Sequence, residues 1–244
     1  MGELAGTVYK AVFFDAGGTL LQVKPSMGEV YCREAARFGL SLDPESLARA
    51  FAEVWRARLD AAGLDSPFYA SDESERAWWR DLVWDVLEIA RKGTPTTGQF
   101  EGYFDHLFAL FARPDVWHVY EDVKPALDVL RAMGIRCAVV SNWDSRLPRL
   151  LESLGLYSRL EFVLTSAEAG RRKPDPLIFH QAVSRTGLAA AEILYVGDSV
   201  EDDVAGARGA GLMPVLIDRT GRLKEDVLIV TDLRDLAHLV KRRQ

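Results

Sequence analysis

The stretch that decides the fold is VFFDAGGTL, which runs from Val12 to Leu20. Its apolar first half predicts a buried β-strand that ends on Asp15, and Gly17-Gly18 predicts a turn directly after it. Ligands bind at the carboxyl ends of the strands in open parallel sheets. A carboxylate at that place is costly to bury unless it is paired, metal-bound or reactive. By itself, however, the stretch is also typical of an acid that simply ends a strand before a turn.

Three later segments also carry polar or charged residues beside a predicted strand end or helix start: VVSNWD at 139–144, RRKPDP at 171–176 and YVGDS at 195–199. In a parallel sheet, Asp15, Ser141 and Asp198 would all project from the same edge. Each segment alone has an ordinary structural explanation, and Lys173, for example, could be a solvated lysine. The ordered set of four segments is much more specific than any one of them.

Composition and charge argue against several classes of function. Of the 244 residues, 48% are hydrophobic and 27% are charged, which is typical of a globular protein with a substantial core. The net charge of −6 argues against a nucleic-acid partner, because neutralising phosphates needs clustered Lys and Arg. No apolar run approaches the roughly 18 residues of a membrane span, and the N-terminus lacks a secretory signal pattern, so we expect a cytoplasmic protein without a membrane partner. Cys32 and Cys137 are expected to be small buried hydrophobes rather than a disulfide or a metal site.

Two regions of the chain differ in pattern. Residues 8–20 and 118–244 alternate short β-branched runs with helical stretches, which indicates βα units and a parallel sheet. Residues 22 to about 117 show apolar residues at helical spacing and predict a helical insertion of four or five helices. The expected strands of the sheet are Val8–Phe14, Arg136–Val140, Phe162–Thr165, Ile193–Val196 and Pro214–Ile217.

Aromatic residues are concentrated in the helical insertion. At helical spacing, most of its tryptophans are expected to be core residues: Trp55, Trp78, Trp79 and Trp84. Phe68 and Tyr69, in a predicted loop, are the better candidates to face a cleft.

Taken together, the four segments resemble the motifs of the haloacid dehalogenase superfamily, and the resemblance covers nearly the whole chain. It implies an α/β fold: a Rossmann-like parallel sheet core over residues 1–21 and 118–244, with an all-helical cap domain inserted over residues 22–117. One subgroup of the superfamily is indicated by the Trp78-Trp79 pair and by the segments SNWD at 141–144, LTS at 164–166 and KPDP at 173–176.

The resemblance also implies roles for individual residues. Asp15 would be the nucleophile that forms an aspartyl ester with the substrate group. Ser141 and Lys173 would bind the phosphoryl group, and Lys173 would offset the charge of Asp15. Further substrate-binding residues would be Gly18, Thr19 and Asn142, with Thr19 supporting the loop by hydrogen bonding.

A Mg²⁺ cofactor is implied by the same motifs. The ion would be ligated by the carboxylates of Asp15 and Asp198 and by the backbone carbonyl of Gly17, since hard cations prefer oxygen ligands. Asp203 matches the remaining acid of the family motif and is expected to belong to the metal site. Asp202 could contribute through a water molecule.

One position departs from the family pattern. Family phosphatases carry a second aspartate two residues after the nucleophile, where it acts as general acid and base, but this chain has Gly17 there. Loss of a general acid–base group typically lowers the rate by about 10²–10⁴-fold. The metal ligand survives, because it is a backbone carbonyl. Asp144 or an acid of the helical insertion could replace the missing group, and a good leaving group would need no acid.

Several functions remain open on the sequence alone. A Mg²⁺-dependent phosphatase of a small phosphorylated metabolite, as a monomer or homodimer, is preferred. A 2-haloacid dehalogenase also lacks the second aspartate, but it would carry tyrosine at Phe179 and no acid at Asp198. A phosphonate-cleaving enzyme would need a cap lysine, and the insertion offers only Lys24 and Lys92. The remaining alternative is a catalytically weak or inactive relative that binds a ligand or partner.

Overall fold

The computed structural model of the chain describes residues 8–61, 69–90 and 96–241. It divides into two compact units. One is drawn from Met1–Leu21, Phe68–Ser71 and Val119–Gln244, and the other from Gln22–Pro67 and Asp72–His118. Tyr69 therefore groups with the first unit, although it lies within the helical insertion in the sequence.

The first unit is built on a six-stranded sheet in the order β5-β4-β1-β6-β7-β8, and every neighbouring pair of its strands is parallel. A separate pair of short strands, β2 and β3, lies where the chain leaves the first unit and returns to it. The strands are β1 (Ala11–Phe14), β2 (Leu21–Val23), β3 (Trp117–Val119), β4 (Arg136–Ser141), β5 (Val163–Thr165), β6 (Ile193–Gly197), β7 (Met213–Ile217) and β8 (Leu228–Val230).

The sheet confirms the α/β class and all five expected strands, but it corrects their extent. The first strand begins at Ala11 rather than at Val8. The sequence pattern does not predict β8 or the β2–β3 pair.

Helices connect the strands and fill the insertion. Those of the described chain are α1 (Met27–Ala35), α2 (Pro44–Ala61), α3 (Asp72–Ala90), α4 (Thr97–Leu110), α5 (Val123–Ala132), α6 (Leu147–Ser153), α7 (Ser166–Ala169), α8 (Pro176–Ser184), α9 (Gly206–Gly209) and α10 (Leu236–Lys241). Helix α8 begins where the sequence indicates, because Asp175 accepts a hydrogen bond from the Leu177 amide and Pro176 occupies the first helical position. No described helix has both the length and the apolarity to cross a membrane.

Each unit has its own apolar core. In the sheet unit, Phe13, Val140 and Tyr195 of three adjacent strands pack in one cluster with Ile178 and Phe179 of α8. This face of the sheet therefore buries both apolar side chains and one phenol.

In the helical unit, α1 to α4 enclose a core that includes Tyr31 and Tyr103. Three of the four expected core tryptophans pack against it: Trp78, Trp79 and Trp84. Trp55 does not, because it is exposed on α2 and meets Trp78 edge-on.

The remaining sequence expectations concern loops and thiols. Tyr69 is exposed and lies against the Arg171 guanidinium, 4.1 Å from its ring centroid, whereas Phe68 lies outside the described residues. Both cysteines are free, Cys137 buried and Cys32 half-buried.

Candidate active site

The register of the sheet brings three motif ends together. Strand β1 lies between β4 and β6, and Phe14 is level with Val139 on one side and Val196 on the other. Asp15, Ser141 and Asp198 therefore leave the sheet at the same edge, as the pattern predicts. There the Ser141 hydroxyl donates to Asp15 Oδ1 over 2.8 Å.

A cluster of three acids forms at this edge. Asp15, Asp198 and Asp203 each offer a carboxylate oxygen, and these oxygens lie within 4.8 Å of one another. Asp203 comes from a π-helical turn, Val200–Ala205, that begins two residues after Asp198. Single π-turns of this kind are frequent at functional sites.

Lys173 is the counter-charge of the cluster and is not a solvated lysine. Its side chain is buried, and its ammonium lies 2.6 Å from Asp15 Oδ1 and 2.5 Å from Asp203 Oδ1. Asn142 holds the backbone of Lys173 through two hydrogen bonds, accepting from its amide over 2.7 Å and donating to its carbonyl over 3.1 Å. Through these two bonds the Asn142 side chain positions Lys173. The substrate contact expected of Asn142 stays a prediction.

Charge in the site is unbalanced. Within this cluster one ammonium faces three carboxylates, which leaves an excess of negative charge of the size that a divalent cation carries. Desolvation, followed by the charge of Asp203, raises the pKa of Asp15 despite the opposing charge of Lys173. Desolvation of its carboxyl group and the charges of Asp15 and Asp203 likewise raise the pKa of Asp198, although the residue as a whole is exposed. Oxygen donors crowded in this way fit a hard cation such as Mg²⁺.

The two glycines after Asp15 have different roles. Gly18 has φ of +70°, and a Cβ there would overlap the Asp198 carboxylate, so only glycine fits this turn. Thr19 supports the same turn by donating to Asp198 Oδ1 over 3.4 Å, near the upper limit for a hydrogen bond. At Gly17 a Cβ would meet only ordinary contact, with Trp143 Cζ3 3.8 Å away. The backbone therefore has room for the first atom of a side chain at position 17.

Two other acids, Asp144 and Asp202, lie near the site and are candidates for supporting chemistry. Asp144 is buried, and its two oxygens pair with the Arg146 guanidinium at 2.7 and 2.6 Å, so it does not offer a free acid. Asp202 lies near Asn142 Nδ2, at 3.4 Å, and desolvation raises its pKa to about 6 against the opposing charge of Lys173.

Two residues at the site have no signal in the sequence. The Tyr195 hydroxyl contacts Lys173 over 3.0 Å, yet its place in an apolar strand predicts only a core residue. Arg219 lies 200 residues beyond Thr19 and donates to its carbonyl over 2.5 Å. Its other terminal nitrogen pairs with Asp122, and the guanidinium covers the Tyr120 ring at 4.0 Å, which ties the turn after β1 to the segment after β3.

Comparison with known proteins shows which family has this sequence pattern and fold. The sequence model of the haloacid dehalogenase-like hydrolases matches residues 9–211. The chain belongs to the haloacid dehalogenase-like hydrolase family. It is therefore a hydrolase, and its parallel sheet is that of this family's fold.

Relatives of this haloacid dehalogenase-like hydrolase carry different names. The haloacid dehalogenase-like hydrolase domain-containing protein 3 of Danio rerio is 34% identical, over 85% of this chain and 84% of its own; this is the subgroup that the Trp78-Trp79 pair and the KPDP segment indicate. A ribulose-1,5-bisphosphate 5-phosphatase of Halopiger xanaduensis is 30% identical, over 85% of this chain and 84% of its own. Among solved structures, a 2-haloacid dehalogenase of Pseudomonas syringae is 26% identical with a TM-score of 0.62, over 96% of this chain and 99% of its own.

Proposed function

We propose that the protein is a Mg²⁺-dependent phosphatase that hydrolyses a small phosphorylated metabolite through an aspartyl-phosphate intermediate. The observation that carries the proposal is the environment of Asp15: its carboxylate binds the Ser141 hydroxyl and the Lys173 ammonium beside two further acids. Similarity to a relative named as a sugar-bisphosphate phosphatase supports the phosphorylated class of substrate. A cytoplasmic location is part of the proposal, because such metabolites are found there.

The metal ion would be held by Asp15, Asp198 and the backbone carbonyl of Gly17. Asp203 belongs to the same cluster, but its oxygens already accept hydrogen bonds from Lys173 and from the Ser199 amide. We therefore assign Asp203 to orienting Lys173 at the edge of the metal site. When bound, Mg²⁺ would neutralise charge between the nucleophile and the phosphoryl oxygens.

The residues of the chain perform two displacements in this account. The Asp15 carboxylate attacks phosphorus, and the bond to the leaving oxygen breaks. The two donors that point at Asp15, the Ser141 hydroxyl and one N–H of Lys173, are then shared with the phosphoryl oxygens. Water then attacks phosphorus, which releases phosphate and restores the Asp15 carboxylate. Positioning and charge stabilisation dominate such transfers, so a pre-formed pair of donors matters more than a strong base.

Gly17 restricts the first displacement. Because this position supplies no proton, a leaving group of low basicity departs readily, whereas an alkoxide departs slowly. The helical insertion would act as a cap that contributes substrate contacts and excludes water.

A phosphate-release assay tests the proposal. A panel of phosphorylated metabolites is incubated with Mg²⁺ or with chelator, using wild-type protein, Asp15→Asn and the control Asp128→Asn, an exposed acid on α5 that pairs with Arg159. We expect release by the wild type and by the control, and none from Asp15→Asn or with chelator. Halide release from 2-haloacids without Mg²⁺ would replace the proposal with a dehalogenase, and silence in both assays would replace it with a binding role.

A further inference from the structure

Tyr195 combines an apolar ring with a hydroxyl that reaches the site. It lies in the middle of β6 with no exposed surface, and its ring meets Phe179 edge-on with centroids 5.0 Å apart. The hydroxyl lies 3.0 Å from Lys173 Nζ and 2.8 Å from the carbonyl oxygen of Val140. The ring is thus held by the core, while the oxygen faces the ammonium.

The contacts of Lys173 account for all of its donors. A protonated lysine has three N–H donors and no acceptor. Their partners are Asp15 Oδ1, Asp203 Oδ1 and the Tyr195 oxygen. The hydroxyl has one proton of its own and two acceptors within reach, the Val140 carbonyl at 2.8 Å and Asp203 Oδ1 at 3.1 Å. Whichever of the two receives that proton, the lone pairs of the hydroxyl oxygen are free to accept from Lys173.

We propose that Tyr195 is a positioning residue, whose hydroxyl fixes the rotation of the Lys173 ammonium so that one N–H stays directed at Asp15. The proposal for its effect on turnover rests on the phosphatase function proposed above. A neutral acceptor suits this place. A third carboxylate would compete with Asp15 for the ammonium, and an apolar group would leave one buried N–H without a partner. With that partner lost, the ammonium would be free to turn and shift toward Asp203.

Tyr195→Phe and Tyr103→Phe form a matched pair that separates positioning from general stability. Tyr103 is also fully buried, and its hydroxyl donates to the Tyr31 carbonyl over 2.9 Å in the helical unit. Each variant keeps its ring, but Tyr103→Phe loses one buried hydrogen bond and Tyr195→Phe loses two, the one accepted from Lys173 and the one donated. We therefore expect Tm to fall by about 2–4 °C in Tyr103→Phe and by about twice as much in Tyr195→Phe. Only Tyr195→Phe should lower kcat, by about 10- to 100-fold with KM little changed, because misplaced catalytic groups act on the transition state.

Two results would overturn the proposal. Tyr195→Phe with unchanged kcat would reduce Tyr195 to a core residue. Failure of Tyr195→Phe to fold, while Tyr103→Phe folds, would show that the hydroxyl is required for the fold and would also overturn it.

A second measurement does not depend on turnover. Lys173 is buried, unlike the other lysines whose side chains the structure describes, so its ammonium should give a slowly exchanging signal in ¹⁵N-lysine NMR spectra. We expect this signal in the wild type and in Tyr103→Phe, and its loss or shift in Tyr195→Phe. An unchanged signal in Tyr195→Phe would contradict the positioning role. If the wild type hydrolyses no phosphorylated substrate while the signal behaves as expected, the phosphatase proposal fails and the positioning of Lys173 stands.

Discussion

Asp15 Oδ1 accepts hydrogen bonds from both Ser141 and Lys173, so the carboxylate assigned to attack the substrate also holds the site together. Breaking a buried ion pair by removing one partner leaves an uncompensated charge, which is strongly destabilising. Asparagine at position 15 keeps the shape and an acceptor oxygen. It is therefore a better test of chemistry than alanine.

Gly17→Asp tests whether the missing acid limits the reaction. Since a Cβ at this position meets only ordinary contact with Trp143, the aspartate side chain can begin without a clash. We expect kcat for alkyl phosphates to rise by about 10²-fold or more, because a positioned acid protonates the leaving oxygen. Hydrolysis of nitrophenyl phosphate should change little, because nitrophenolate leaves without a proton.

Gly17→Asn is the control for this substitution. It has nearly the same size but carries no transferable proton, so it should leave alkyl phosphate rates at the wild-type level. Equal gains in both variants, or no gain in either, would show that proton donation at position 17 does not limit this protein.

Gly18→Ala should destabilise the protein, whereas Gly17→Ala should not. Residue 18 has positive φ, and a methyl group there would overlap the Asp198 carboxylate, whereas residue 17 has room. We expect Gly18→Ala to lower the free energy of unfolding by about 1–3 kcal/mol, and Gly17→Ala to change it by less than about 1 kcal/mol. Urea unfolding of the two variants measures the difference, and equal losses would mean that Gly18 is not required by this turn.

The sequence predicts the site residues that lie at the ends of strands. It does not predict the site residues that reach the site from within a strand or from a distant loop. Asp15, Ser141 and Asp198 are predictable because parallel strands share an edge. Tyr195 is not, since the buried face of a strand gives the same pattern whether or not its hydroxyl reaches a lysine. Arg219 is not either, because its contact with Thr19 depends on tertiary packing alone.

Among the elements, the short strands are what the sequence pattern does not predict. β8 and the β2–β3 pair have three residues per strand, too few to show an alternation. These strands form because an adjacent strand offers backbone hydrogen bonds, and not because their own residues strongly favour the β conformation. The apolar strands β4 and β6 are predicted to within one residue, because their apolar runs extend over enough positions.

An ion-pair network joins two helices of the insertion and gives a pH-dependent prediction. Glu34 of α1 is buried, and it accepts hydrogen bonds from Arg33 and Arg37 and contacts His106 of α4. Desolvation opposes ionisation, but these partners together lower the pKa of Glu34 from 4.5 to about 2. Because the folded pKa is lowered, the stabilisation is present above pH 4.5 and is lost as pH falls toward 2.

Glu34→Gln should therefore be less stable than the wild type at pH 6, and the gap should shrink steadily between pH 4.5 and 2. Urea unfolding across this range measures it, and comparison of two proteins that share all other carboxylates isolates Glu34. A gap that does not depend on pH would contradict the network's role.

In the whole molecule, the residues proposed for the chemistry all belong to the sheet unit. The sequence pattern indicates a separate helical insertion, because helical and βα patterns differ over long stretches. It does not predict that Tyr69 groups with the sheet unit, since its bridge to Arg171 joins residues about a hundred positions apart.

Mg²⁺ should stabilise the whole protein, because an ion that binds only the native state shifts the folding equilibrium. At about 100 times its dissociation constant the gain would be about 2.7 kcal/mol, which raises Tm by several degrees. Calorimetry of the wild type and of Asp198→Asn with and without Mg²⁺ measures the effect. We expect a shift in the wild type and a much smaller one in the variant; equal shifts would place the ion elsewhere.

In the proposed mechanism, Asp15 carries the phosphoryl group during turnover. The most direct test is acid quenching of the protein during turnover of its best phosphorylated substrate, followed by mass spectrometry of the peptide that contains Asp15. We expect this peptide to gain the mass of one phosphoryl group in the wild type and none in Asp15→Asn. Phosphate release without any modified Asp15, or a phosphoryl group on another residue, would contradict it.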